Sequence, residues 1–287
     1  MEEYLFLKLC CEHPEYQVVV DESRQKVRKA IEQLTLFDDE LMSKVFDNNI
    51  PATQLLVKLI LQREDIQVVS VTGQKELKSP VTGGRNLRLD IHALDENGKE
   101  IDIEVQRSIP GADYRRARLH SSMLDARMLK SGEEFSALPD SYVIFITEKD
   151  IPDLGLPLYH IERIIRETGA PVDDGAYTVY VNGSYTGDDP LGDLVHDFRC
   201  TKSKDMNYPE LADGLKHFKE TEEGVNTMCQ VFEELANERA RKIADISRAE
   251  GISIGEARGE ANAKKKYEAQ IAEMQAELAK YKAALKQ

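Results

Sequence analysis

Two stretches of strict alternation stand out in the pattern of apolar and polar positions. Leu87, Leu89, Ile91 and Ala93 alternate with Arg88, Asp90 and His92; later, Ile101, Ile103 and Val105 alternate with Asp102, Glu104 and Gln106. Period two on both arms, with Asn97-Gly98 between them, predicts a β-hairpin. A two-residue Asn97-Gly98 loop would set Ile91 opposite Glu104 and mix the two faces. A three-residue loop, Glu96 to Gly98, pairs Asp95 with Lys99 and Asp90 with Glu104. It keeps the apolar side chains on one face and puts Gly98 where a left-handed residue suits a bulge. Asp90, Glu104 and Gln106 then project from one side of two adjacent strands. Asp102 and His92 read as hairpin surface, and Asp95 as turn.

Around the hairpin the periodicity changes. Residues 22–35 read as a charged helix, and Asp38 and Asp39 stand before Leu41, Val45 and Phe46 as acidic residues suited to a helix N-terminus. Pro51 opens a further helix carrying Leu55, Leu56, Leu59 and Ile60. Ile66 to Val71 reads as a strand, followed by a loop from Thr72 to Asn86. Residues 113–131 form a helix with Tyr114, Ala117, Ser121, Leu124 and Met128 as its inner stripe. Tyr142 to Thr147 is a buried strand, with more strand pattern at Tyr159–Ile165 and Tyr177–Val181. Residues 190–238 are mostly helical and acidic. In the tail, Tyr267, Ile271, Met274, Leu278, Tyr281 and Leu285 are spaced as a heptad seam; the alternative is a solvated or self-packed helix. Gly251, Gly255 and Gly259 punctuate a loosely helical connector before it.

Composition narrows the classes. The 287 residues carry a net charge of −14, which argues against whole-surface nucleic-acid binding but leaves room for a local basic groove. Arg107, Arg115, Arg116, Arg118, Arg127 and Lys130 stand against only Asp113 and Asp125 within residues 107–130, so this segment is the candidate phosphate-facing patch, with a solvated helix face as the alternative. No apolar run approaches the roughly 20 residues of a membrane span, and the acidic start is unlike a signal peptide; the expected location is cytoplasmic, with no membrane partner. Cys10, Cys11, Cys200 and Cys229 form no CxxC pair or zinc spacing.

Two carboxylates converging from neighbouring strands repel one another, and a divalent cation offsets that repulsion. Hard oxygen ligands favour Mg²⁺, with Mn²⁺ or Ca²⁺ as alternatives, over Zn²⁺. A polar hairpin face that is simply wet is the plainer alternative.

The segment LRLDIHALDENGKEIDIEVQ resembles the core hairpin of the PD-(D/E)XK nucleases, and more narrowly their Rpn-like "nuclease family transposase" branch, which carries Glu-x-Gln where the wider superfamily often has Glu-x-Lys. LTLFDDELMSKVF resembles that family's opening helix. RARLHSSMLDARMLKSGEEFSALPDSYVIFIT resembles the helix and strand after the hairpin, and LGDLVHDFRCTKSKDMNYPELADGLKHFKETEEGVNTMC its C-terminal region. The resemblance implies an α/β fold, a restriction-endonuclease-like core whose mixed central sheet is flanked by helices, plus a helical C-terminal extension. The domains implied are an extension (1–32), the nuclease-like domain (33–235), a charged helical connector (236–263) and a coiled-coil-like helix (264–287), through which a homodimer could form.

Residue by residue, the resemblance implies that Asp90 and Glu104 bind the metal with help from the carbonyl of Val105. Gln106 would orient the attacking water or a phosphate oxygen, and Asp39 would match an accessory acid. Leu89 departs from the proline of the superfamily motif, and Gln106 cannot carry the positive charge that lysine brings. The implied activity is metal-dependent DNA endonuclease chemistry, linked to recombination or defence against mobile elements. The alternative is a catalytically weak nuclease fold acting as an interaction module.

Overall fold

The computed structural model describes residues 25–284. The chain divides into two units, Met1–Val231 and Phe232–Gln287. In the first, helix α1 covers residues 25–33. Helix α2 (Asp39–Phe46) follows, with Asp38 preceding it and Asp39 and Glu40 in its first turn, where the free N–H groups favour negative charge. Helix α3 (Ile50–Leu61) starts at Asn49, whose side chain accepts from the Ala52 N–H, with Pro51 in its first turn.

Strands β1 (Val68–Leu77), β2 (Leu87–Asp95) and β3 (Glu100–Gln106) form a meander. Helix α4 (Tyr114–Met128), capped by Asp113, crosses over to β4 (Ser141–Thr147), which runs parallel to β3. Strands β5 (Leu158–Ile161), β6 (Ile164–Ile165), β7 (Ala170–Pro171) and β8 (Ala176–Asn182) complete the strand set. The main sheet has six strands in the order β1-β2-β3-β4-β8-β5, mixed parallel and antiparallel as the resemblance implies; β6 and β7 pair separately. Helices α5 (Pro190–Arg199) and α6 (Pro209–Glu220) follow, packing with α2 and α3, and Phe198 stacks against Phe46 and meets Phe37 edge-on.

The hairpin has the three-residue register. Ile91 pairs with Ile103 and His92 with Asp102, which carries Asp90 opposite Glu104. Gly98 takes φ +80°, and the Asp95 carboxylate closes the turn by accepting from the N–H groups of Asn97 and Lys99, both at 2.8 Å.

Four expectations need correction. Strand β1 runs to Leu77, well into the segment read as a loop. The apolar residues of β2 do not share one face: Gln74, opposite Asp90, has φ 52°, and past this irregularity Leu77, Leu87 and Leu89 join the core with Ala117, Leu124, Val143 and Phe145. The inner stripe of α4 is Ala117, His120, Met123 and Leu124, while Tyr114 is 48% exposed and touches the Tyr180 ring edge-on. Asp102 and His92 are buried, because α4 covers the polar side of the hairpin; His92 Nε2 lies 2.9 Å from Glu100 Oε2 and its Nδ1 3.2 Å from Lys75 Nζ.

Helix α7 (Glu222–Ala284) spans the charged connector and the tail as one α-helix. Of the heptad positions, Tyr267 and Met274 are exposed; the side chains of Ile271, Leu278 and Tyr281, and all of Leu285, lie outside the described residues. No helix among the described residues is long and apolar enough to cross a membrane.

Candidate metal centre and active site

The hairpin interlocks its own acids. The Asp90 N–H donates to Glu104 Oε1 at 3.0 Å, and the Val105 N–H donates to Asp90 Oδ2 at 3.1 Å. Gln106 Nε2 donates to that same Asp90 oxygen at 3.3 Å. The register therefore brings the expected trio of Asp90, Glu104 and Gln106 together, with Val105 contributing its amide. Asp90 and Gln106 line an open cleft of about 600 Å³, together with Asp39, Arg88, Arg115, Arg116 and His120. Asp39 sits at the rim.

Helix α4 closes the other side. Arg116 Nη2 donates to Glu104 Oε2 at 2.5 Å, and Arg116 Nη1 to Gln106 Oε1 at 3.3 Å and to the Gly111 carbonyl at 3.0 Å. A Cβ on Gly111 would come within 2.3 Å of Gln106 Oε1, so glycine is what lets this turn approach the glutamine. Beneath Arg116, His120 Nδ1 lies 2.7 Å from Asp102 Oδ2 and 3.8 Å from Glu104 Oε1. Asp102 and Glu104 are wholly buried, and Asp102 Oδ1 has no hydrogen-bond partner.

The electrostatics follow from this crowding. Burial raises the Asp90 carboxyl to about 6, and the Asp39 charge pushes the same way. Burial raises Glu104 to about 8, reinforced by Asp102 and Asp90. Asp102 is raised well above the ordinary carboxylate range by burial and then by Asp90. Asp39 is raised by its partly enclosed position and by Glu40. Burial lowers the His120 imidazole, which favours its neutral form. With His120 neutral, the three carboxyl groups of Asp90, Asp102 and Glu104 have one ion-paired guanidinium, Arg116 on Glu104, and Arg88 acts on Asp90 without an ion pair. Fully ionised, the three carboxylates leave two negative charges unpaired, and an oxygen-rich donor set with that surplus fits a divalent cation.

The other expected residues are spread around the cleft. Arg107 is committed to the Asp38 carboxylate at 3.0 Å and to the Thr35 hydroxyl at 2.9 Å. Arg115 and Arg118 are exposed; both border a second hollow of about 400 Å³ between α4 and the β5–β8 edge, and Arg115 also reaches the main cleft. Sequence reasoning left Asp102 on the surface and weighed His120 as a general base without counting it among the site residues. The signal available was the Ala117–His120–Leu124 spacing, which puts His120 on the buried stripe of α4.

Among the described residues, two groups of side chains bring potential metal-ligating atoms within 4.8 Å of one another: Asp102, Glu104 and His120 at this site, and His196, Asp197 and Cys200 at the end of α5. The second is satisfied internally: Asp197 accepts from the N–H groups of Asn207 and Tyr208 at 2.8 Å, and burial and the Asp197 charge push the Cys200 thiol up to about 11.

Neither a curated protein nor a solved structure gives a significant match to this chain. A family model does, covering β1 through β7 and every expected site residue except Asp39, which lies one position before the match begins. Residues 40–173 are thus similar to the family described as PD-(D/E)XK nuclease family transposase.

Proposed function

We propose that this domain is a divalent-metal-dependent endonuclease that hydrolyses phosphodiester bonds in DNA. The observation that carries the reading is the interlocked Asp90–Glu104 pair beside Gln106, with Asp90 and Gln106 lining an open cleft and Glu104 wholly buried next to them. Asp90 and Glu104 would hold the cation, Mg²⁺ in the first instance, with the Val105 carbonyl as a further oxygen. When bound, the cation polarises the scissile phosphate and makes its water more acidic. The remaining work belongs to the chain. Gln106, pinned between Asp90 and Arg116, offers an amide to orient the attacking water or a phosphate oxygen. Asp39 stands at the rim as an accessory acid. Arg115 and Arg118 contact flanking phosphates, joined by Arg107 once it exchanges Asp38 for the backbone, and by Arg116 at the centre.

The test is purified full-length protein with duplex DNA and Mg²⁺ or Mn²⁺. Cleavage should require the metal and fall at least about 10³-fold in Glu104→Ala. Metal-independent cleavage, or cleavage that survives the substitution, contradicts the assignment. An acidic interaction module that has lost the chemistry would cut nothing and need not bind a divalent ion at Asp90 and Glu104. Pairing of two chains through residues 264–287 is part of the proposal, supported by the exposed Tyr267 and Met274. An unchanged solution mass after deleting those residues would remove it.

A further inference from the structure

Within the nuclease reading, one arrangement is left without a role: a chain of hydrogen bonds running from a buried acid to the reacting centre. Asp102 is wholly buried on β3, two residues from Glu104, and holds His120 Nδ1 at 2.7 Å. The other ring nitrogen, Nε2, accepts from Arg116 Nε–H at 3.3 Å. An arginine N–H can only donate, so Nε2 must keep its lone pair and the imidazole proton must sit on Nδ1, facing Asp102. The lowered pKa of His120 agrees with this neutral tautomer. Fixed at Nε, the guanidinium turns its two other nitrogens to Glu104 and Gln106. It also lies 6.0 Å from the Phe145 ring centroid, with that ring edge-on to His120.

We propose that Arg116 supplies the positive charge at the scissile phosphate that Gln106 lacks, and that Asp102 and His120 are positioning residues that aim its guanidinium. Several features of the site converge on this. Arg116 reaches both Glu104 and Gln106, the two residues that bracket the missing charge. It lines the cleft, whereas Asp102 does not. Its planar fork suits the non-bridging oxygens of a phosphate, and its charge persists at any working pH. Arg88 and Arg115 also line the cleft, Arg107 pairs with Asp38 and Arg118 borders the other hollow, but it is Arg116 that donates to both Glu104 and Gln106. Burying Asp102 is costly, and the oxygen it gives to His120 Nδ1 fixes a ring whose other nitrogen meets Arg116.

The inference rests on the nuclease reading, and the experiment separates the two. Single-turnover cleavage of duplex DNA is measured with Mn²⁺ for the full chain and its variants, and DNA affinity is measured with Ca²⁺. Arg116→Met should slow cleavage about 10²- to 10³-fold while DNA affinity changes by only a few-fold. Arg116→Lys should recover part of the rate, and added guanidinium ion should partly rescue Arg116→Ala. Asp102→Asn presents an amide donor to Nδ1, which moves the ring proton to Nε2, against the Arg116 N–H. Histidine ¹⁵N chemical shifts should report that switch, and the rate should fall roughly 10- to 100-fold. If Asp102→Asn does not fold, His120→Gln, whose amide oxygen can still accept from Arg116, should outperform His120→Leu. Wild-type protein that cuts DNA alongside an equally fast Arg116→Met overturns the role of Arg116. A tautomer switch without a change in rate, or equal rates for His120→Gln and His120→Leu, overturns the positioning pair. Wild-type protein that cuts nothing overturns the nuclease reading, and this inference with it.

Discussion

Among the described residues, an aspartate is buried beside a histidine both under α4 and at the end of α5, and the two places differ in how the acid is satisfied. At the end of α5, Asp197 is wholly buried and meets donors on every side: the Asn207 N–H at 2.8 Å, the Tyr208 N–H at 2.8 Å and the Asn207 side-chain amide at 3.0 Å. Under α4, Asp102 is equally buried, yet one of its oxygens has no partner and its neighbours include two further acids. The first acid clamps α5 to the turn that leads into α6. The second belongs to a pocket with more negative charge than its own donors can offset. Proximity of ligand-type atoms is common to both, so proximity does not identify a site. Unmet charge does.

The comparison can be broken most sharply by removing each acid in turn. Asp197→Ala orphans two backbone amides and should cost about 3 kcal/mol of stability, read as a lowered denaturant midpoint, with cleavage per folded molecule unchanged. Glu104→Gln should do the reverse, abolishing cleavage and cation binding while the protein stays folded. A stability loss of similar size in both variants would erase the distinction.

The next effect is on pH and cation response. The folded pKa values of Asp90, Asp102 and Glu104 lie above their unfolded values. Their contribution to stability is therefore fully present below about pH 4. It is lost as pH rises through about 6 for Asp90 and about 8 for Glu104. Arg116 and His120 face these acids from α4, and Asp39 faces Asp90 from α2. Without divalent cation the thermal midpoint should drop between roughly pH 5 and pH 8. Mn²⁺ should restore more of it at the higher pH, and an equal gain at both would count against a site built from these carboxyls.

Smaller effects come from the supports. Gly111→Ala should push Gln106 off Arg116 and slow cleavage a few-fold with little change in stability. Cys200→Ala, in the satisfied cluster, should cost under about 1 kcal/mol and leave metal affinity untouched; a fall in metal affinity would place an ion there.

The hairpin was legible because its information is local. Alternation on both arms and a glycine at the third loop position leave one register that pairs Asp90 with Glu104, and the Asp95 turn confirms it. The match over residues 40–173 then agreed with the resemblance carried by the ordered motifs. What alternation could not reveal is what lies above the polar face. Asp102 and His92 occupy positions that water would cover on an open hairpin, and only the α4 crossover buries them. Leu89 joins the α4 side of the core, and Gln74, opposite Asp90 on β1, takes a left-handed φ that its residue type does not announce. Arg116 counted as one of several cations on a helix; its commitment to Glu104 is a tertiary fact.

The central claim is that Asp90 and Glu104 jointly hold one hard cation. Anomalous diffraction from crystals soaked in Mn²⁺ tests it most directly. The account predicts a peak at about 2.1–2.2 Å from a carboxylate oxygen of each residue, beside Gln106 and open to the cleft. A peak only among His196, Asp197 and Cys200, or none in the cleft at saturating Mn²⁺, would contradict it.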